Sequence, residues 1–387
     1  MHASTLTLPL PELREEFLLS RELTFLNHGS FGACPRPVFA IYQNWQRELE
    51  ANPVGFLGLR LPDLLAAASV RLAGYLGTVA DNLVFVPNAT YGVNVVARSL
   101  KLQSGDEVLT SDHEYGAVNR TWRFNCERQG AVYINQPVAV PAPSASAIVD
   151  QIWAGVTERT KVITLSHITS PTALMMPIAE ICRRARAAGI LTVIDGAHAP
   201  GQLELDLDAI GADYYTGNCH KWLCSPKGAA FLYARPERQA LLEPLVVSHG
   251  WNADAPGSSQ FLDYFTWVGT VDPAAYLTVP AAIDFQAQHQ WADVREACHA
   301  LALEAQQQIL DLSDAAALSA DDLWVQMRAV PIPGAAADYK PLWEKHRIVV
   351  PVFEWNGQTL IRFSIQAYNG PDDIHRLIVA LQEVIGA

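Results

Sequence analysis

Lysine is scarce in this chain: six occur in 387 residues, at positions 101, 161, 221, 227, 340 and 345. Basic residues of both kinds number 27 against 40 acidic ones, so the formal net charge is −13. No basic patch is visible, which excludes nucleic acid as the expected partner. The N-terminus lacks a positive start, and no uninterrupted apolar stretch reaches spanning length, so neither a signal peptide nor a membrane partner is expected. Cysteine is sparse and unpatterned. Cys34, Cys126, Cys182, Cys219, Cys224 and Cys298 contain no CxxC pair and make no disulfide framework in a chain this long. Cys219, His220 and Cys224 lie close together, but no second cluster completes a ligand set, so no metal is expected. Free thiols imply a reducing, cytoplasmic location. GxxxxGKS/T and the dinucleotide glycine fingerprint are also missing.

What is present is an ordinary globular composition, 50% hydrophobic and 17% charged. The length suits a large core and two domains. The expected division is a large unit over 20–255 and a small α+β unit made of 1–19 and 256–387. Residues 1–20 read as an arm leading to a short strand at Leu23–Leu26. A loop follows, Asn27-His28-Gly29-Ser30-Phe31-Gly32, whose glycines mark backbone passing close to something. It is either a plain turn into the next helix or a wall of a ligand site. Helical periods cover 37–51 and 61–77.

From residue 83 a strand-then-helix alternation sets in, which predicts an α/β fold with a mainly parallel sheet. Strands are expected at 83–86, 107–110, 131–134, 161–166, 191–194, 213–216 and 229–233. Polar clusters fall at their C-terminal ends: Asn88–Thr90, Asp112–Tyr115, His167–Ser170 and Asp195–His198. Parallel sheets bind ligands at that edge. Asn88 and Thr90 can cap a helix whose free N–H groups would take an anion. After about residue 235 the pattern changes. Residues 136–146 and 246–260 read as loops, 261–273 as a strongly aromatic stretch, and 324–330, 348–351 and 359–364 as strands between helices.

One stretch stands apart, Tyr214 to Gly228, YYTGNCHKWLCSPKG. It places Lys221 directly after His220, just beyond an apolar strand that ends in Asp195. A lysine surrounded by apolar residues is most simply a snorkelling surface side chain. That reading loses once Asp195, His198 and the Pro226-Lys227-Gly228 turn are added. A pyridoxal 5'-phosphate (PLP) enzyme needs a lysine to hold the aldehyde as a Schiff base and a carboxylate to pair with the pyridinium nitrogen.

The series VIDGAH, DYYTGNCHKWLCSPKG, WVGT and IRFSIQAYN closely resembles the class V aminotransferase family, over nearly the whole chain from Asn27. LNHGSFG, NCHKW and FTWVGTVDP resemble its isopenicillin N epimerase-like branch. The resemblance implies a fold-type I PLP enzyme acting at Cα of an amino acid or amino-acid-bearing peptide. It implies that Lys221 binds the aldehyde and shuttles the Cα proton, and that Asp195 holds the pyridinium proton. His198 would lie by the phenolic oxygen or phosphate. Ala89, Thr90, Asn218 and His220 would hold the phosphate, although most members have Ser at the Asn218 position. Tyr115 stands where the family stacks a ring, usually His, on the cofactor, with His113 as the alternative. Ser170 stands where relatives often have Asn near the phenolic oxygen. Gly269-Thr270 would reach the phosphate of a second subunit, implying a homodimer. Arg362 would grip the substrate carboxylate, and Asn27 and His28 would line the substrate site.

The same residues serve epimerisation, β-elimination of sulfur and transamination, so the fold leaves the reaction open. Epimerisation is the main expectation, with C–S lyase or aminotransferase as alternatives and a non-catalytic PLP-fold binding protein as a further one. Desulfurases of this family use a cysteine on a C-terminal-domain loop, and this chain has none after Cys298, which disfavours persulfide chemistry. Epimerisation needs a second acid opposite Lys221, for which Tyr115, His113 and Cys219 are the candidates. Arg60 is either a remote carboxylate binder or a surface residue at a helix cap.

Overall fold

The structure, a computed structural model, describes residues 11–257 and 259–386. The first half of the expected N-terminal arm lies outside the described residues. Seven strands form the central sheet: β1 Leu83–Val86, β2 Glu107–Ser111, β3 Val132–Gln136, β4 Thr160–Ser166, β5 Leu191–Asp195, β6 Tyr214–Asn218 and β7 Ala230–Ala234. Their order in space is β1-β7-β6-β5-β4-β2-β3. Neighbours are parallel except that β7 runs antiparallel to both β1 and β6. Two reversals cancel, so the other six strands all end at one edge.

Both faces of this sheet are apolar, as expected when helices cover both sides. Alternate residues go to opposite layers. Leu109, Ile163, Ile194, Tyr215 and Phe231 enter one core, while Val108, Val162, Val193, Tyr214 and Leu232 enter the other. The helices that matter below are α1 Arg36–Ala51, α2 Leu61–Tyr75, α3 Ala89–Ser99, α4 Gly116–Gln129, α5 Ile178–Ala187, α6 Trp291–Ser313 and α7 Pro371–Ile385. α3 buries Val93 and Val96 with Val118 and Trp122 of α4 in the second core, whereas α5 sends Ile181 and Ala185 into the first.

The C-terminal part carries a three-stranded antiparallel sheet of β8 Met327–Ile332, β9 Val352–Trp355 and β10 Gln358–Ser364, with β10 in the middle. Early residues join it: Thr24–Phe25 pairs parallel with Ile348–Val349, and the Ser364 N–H donates to the Leu26 carbonyl at 2.9 Å.

Three segments differ from expectation. Ala145–Trp153 is a helix that begins where the expected loop over 136–146 ends, a stretch given no element from sequence, and it is started by the Ser144 hydroxyl accepting from the Ala147 N–H at 3.2 Å. The aromatic stretch opens with a helix, Gln260–Thr266, capped by Ser259. Residues Pro53–Tyr75 make one helical run long and apolar enough, by length and composition only, to cross a membrane, and 22% of its apolar 18-residue window is buried. Arg60, Asp63 and Arg71 interrupt that run in the sequence, which is why no uninterrupted span was expected.

Candidate functional site

The shared strand edge opens into a cavity of about 540 Å³. Each wall is the exit of a strand. β1 supplies Asn88 to Thr90, β2 supplies Tyr115, β4 supplies Ser166 and Ser170, β5 supplies Asp195 and His198, and β6 supplies Asn218, His220 and Lys221. Arg362 enters from β10, and Gly29 to Phe31 close the remaining side. The glycines of that early loop have a physical reason. At Gly32 φ is +71°, and a Cβ would come within 2.0 Å of the His220 carbonyl. The loop therefore lies flush against the backbone that carries Lys221, and Lys227 Nζ ties it down by donating to the Gly32 carbonyl at 3.0 Å.

Lys221 Nζ lies 3.3 Å from His198 Nε2. Burial, together with the Arg362 charge and against the pull of Asp195, brings the lysine down to about 8. Asp195 is 5% exposed, and its Oδ1 accepts from the Ala197 N–H at 2.9 Å. It forms no ion pair among the described residues, and burial pushes its carboxyl upward. A buried carboxylate that lines the cavity with no ion-pair partner among the described residues is what a pyridinium N–H would complete.

A second unmet charge faces it. Arg362 Nη1 donates to the Ser170 carbonyl and hydroxyl at 2.5 and 3.1 Å, and Nη2 donates to Ser30 Oγ at 3.2 Å. Among the described residues no carboxylate pairs with it, and its Nε has no partner. Burial lowers the guanidinium to about 10. Ser170 thus acts on the arginine, which is a different contact from the one the resemblance implies.

The third unmet group is an anion cradle. Asn88 Oδ1 caps α3 by accepting from the Tyr91 N–H at 2.8 Å. Asn218 Oδ1 accepts from the Ala89 N–H at 2.8 Å, which holds the helix start against β6. The Thr90 N–H and hydroxyl have no partner among the described residues. A helix N-terminus with free donors suits a phosphate. His220 Nδ1 donates to the Ala229 carbonyl at 3.1 Å, leaving Nε2 for the cavity. An amine, an unpaired carboxylate and a phosphate cradle on one cavity fit PLP.

Other expected residues lie elsewhere. His28 is fully buried behind Lys221 and does not line the cavity. Its Nε2–H donates to the Lys221 carbonyl at 3.1 Å, and its Nδ1 accepts from the Tyr368 hydroxyl at 2.9 Å. Asn27 is also off the cavity and accepts from Ser30 Oγ at 2.6 Å. His113 is fully buried between Thr172 Oγ1 at 2.6 Å and the Val138 carbonyl at 2.8 Å, so it reaches no substrate. Cys219 is fully buried too, and burial raises its thiol strongly. Thr270 is exposed, away from this chain's cavity. Arg60 pairs with Glu48 at 2.9 Å on the surface and sits over the Phe56 ring. Of the proposed second acids, only Tyr115 faces the cavity. Sequence reasoning passed over Glu114 and Trp222. Glu114 belongs to the Asp112–Tyr115 cluster and Trp222 to the NCHKW motif, and that membership was the signal.

The family model Aminotransferase class-V matches residues 33–377. An isopenicillin N epimerase of Amycolatopsis lactamdurans is 37% identical over 96% of this chain and 97% of its own length. A putative L-cysteine desulfhydrase of Oryza sativa subsp. japonica is 34% identical over 67% of this chain and 56% of its own. Among solved structures, a C-DES variant with glycine covalently linked to its PLP cofactor superposes with a TM-score of 0.81, at 21% identity, covering 93% of this chain and 96% of that one.

Proposed function

We propose that this chain, which belongs to the class V aminotransferase family, is a PLP-dependent enzyme that epimerises the Cα of an amino acid or amino-acid-bearing peptide. The observation that carries the reading is the set of three unmet groups around Lys221: the unpaired Asp195, the unpaired Arg362 and the free donors at Thr90. Lys221 and Asp195 would hold the ring, and Thr90, Asn218 and His220 its phosphate. PLP, when bound, supplies an electron sink for negative charge at Cα.

The chain's own residues do the rest. Arg362 binds the α-carboxylate, and Ser170 and Ser30 hold the guanidinium in place while leaving room for it. Lys221 follows β6 and Tyr115 follows β2, with β5 and β4 between them. The amine and the phenol therefore stand on separate walls of the cavity, and inversion would use them from opposite faces of the substrate. Lys221 removes the Cα proton and the Tyr115 hydroxyl returns one to the other side. No cysteine lines the cavity among the described residues, so desulfuration through an enzyme persulfide has no thiol to use. β-Elimination without an enzyme thiol is the second reading, favoured by the desulfhydrase relatives. Phe31 at 70% and Tyr115 at 48% exposure leave apolar surface at the mouth, and a second copy of the chain, bringing Gly269-Thr270, would cover it.

Proton NMR in heavy water, with the loaded protein and a panel of L-amino acids, cysteine conjugates and isopenicillin N, tests the reaction. Cα exchange with inversion and an intact side chain is expected, and Lys221→Ala should abolish it together with the borohydride-reducible cofactor link. Pyruvate or a released sulfur fragment would move the assignment to a lyase. Failure to bind PLP at saturation would remove the enzyme reading itself.

A further inference from the structure

The residue after the lysine explains how the amine is kept ready. The Trp222 indole N–H donates to His198 Nδ1 at 3.3 Å. Across the same ring, His198 Nε2 lies 3.3 Å from Lys221 Nζ. An indole nitrogen only donates. Nδ1 therefore carries a lone pair, and the proton of the neutral imidazole sits on Nε2. That makes Nε2 a donor aimed at Lys221, and Lys221 can accept only through the lone pair of a free amine. An ammonium would face an N–H instead, and the contact would be repulsive.

The placement of Trp222 is fixed from several sides. The residue is fully buried, its carbonyl accepts from Gln286 Nε2 at 2.8 Å, and its ring centroid lies 4.9 Å from that of His28. Gly201, three residues after His198, has φ +94°, and a Cβ there would come within 2.2 Å of the Trp222 carbonyl. The loop carrying His198 is thus pressed onto the backbone of Trp222, which leaves the imidazole little freedom to turn away. Burial, then Lys221, Arg362 and His28 as neighbours, all oppose a second proton on His198.

We propose that Trp222 is a positioning residue acting through His198: by occupying Nδ1 it fixes the Nε2–H tautomer, which holds Lys221 as a free amine and keeps one N–H donor aimed into the site. This rests on Lys221 being the reactive amine. The sequence HKW is then one unit with VIDGAH, since the indole N–H has its acceptor in the imidazole at position 198.

A double-mutant cycle tests it, with Trp222→Phe, His198→Gln and both together. Glutamine offers an N–H donor with no tautomer to select. The readouts are the 15N chemical shifts of His198 in the purified protein, assigned by their loss in His198→Gln, and the rate at which added PLP forms its imine with Lys221, followed by absorbance across pH. The wild-type ring should show an unprotonated Nδ1. Trp222→Phe should mix the tautomers and slow imine formation about tenfold, the size of one hydrogen bond, with the pH profile displaced to higher pH. In the His198→Gln background the same change should cost less than about twofold. An equal cost in both backgrounds, or a proton on Nδ1 of the wild type, overturns the proposal. The 15N measurement on wild type decides the matter even where Trp222→Phe fails to fold. Loss of all imine formation in wild type would instead count against Lys221 itself.

Discussion

Two carboxylates lie beneath the cavity, and their surroundings give them different work. Asp195 lines the cavity with no ion-pair partner among the described residues. Glu114, 5% exposed, accepts from Ser111 Oγ at 2.7 Å, from the Ser166 N–H at 2.9 Å and from Ser166 Oγ at 2.6 Å. Burial pushes it up to about 7; its serine hydrogen bonds oppose this and the Asp195 charge adds to it. The folded chain therefore binds this proton more tightly than the unfolded chain, where glutamate titrates near about 4.3. The stability so gained is fully present below the unfolded value and is lost as pH rises through about 7. Urea unfolding of cofactor-free protein should show wild type losing stability relative to Glu114→Gln between about pH 5 and about pH 8, by a few kcal/mol at most. Parallel stability curves would remove Glu114 from this role. Arg362 gives a second prediction. Its lysine variant keeps the charge and loses the fork, so KM for substrates with a free α-carboxylate should rise about 10- to 100-fold, with a smaller change in kcat. The matching α-amide should respond little to the substitution. An equal loss on acid and amide would mean that the arginine holds the fold and not the substrate.

Elements show why much of this was readable from sequence. Strand exits are marked by the switch from apolar runs to polar clusters, so Thr90 and Asp195 could be assigned to one edge from sequence, whereas His220 and Lys221 stood out through the NCHKW stretch. The direction in which a side chain leaves the backbone has no such mark. His28 and His113 belong to the right loops and yet point into the protein, because better partners stand there. The hairpin after β9 shows the same for a whole element. Trp355 Nε1 donates to the Asp112 carbonyl at 3.3 Å, Asn356 Nδ2 donates to Asp112 Oδ2 at 3.0 Å, and the Trp355 ring packs 4.6 Å from the His113 ring. β9 is short and mostly half-buried, so its periodicity was too weak to find, and with it went the reason His113 is covered. At the start of α3 the cap was visible and its consequence can be measured. Asn88→Ala removes the bond to the Tyr91 N–H and should cost about 1 kcal/mol of stability. It should also weaken PLP binding severalfold, because the free N–H groups at the helix start lose their fixed direction. Fluorescence titration of PLP and thermal unfolding, run on one preparation, check both. A lower melting temperature with unchanged affinity would mean that this helix end does not hold the phosphate.

The whole molecule presents apolar surface that a single chain does not cover. Along Pro53–Tyr75, Leu59 is 78% and Val70 61% exposed. Beside them a second cavity, of about 480 Å³, is lined by Leu61, Leu65, Phe85, Trp267, Tyr276 and by Gly269 itself. The membrane-like helix and the Gly269 turn therefore share one apolar face. Surface of this kind marks an interaction site. The charges Arg60, Asp63 and Arg71 within the helix suit a protein partner better than hydrocarbon, where each would be costly. If the partner is a second copy, sedimentation equilibrium should give about twice 42.4 kDa. Leu59→Glu with Val70→Glu should split the dimer, and the separated chains should lose PLP affinity although every cofactor-facing residue of their own is intact. Thr270→Ala should lower that affinity while leaving the dimer whole. A monomer of full affinity would mean that the cavity is complete in one chain, and the apolar face would then need a different occupant.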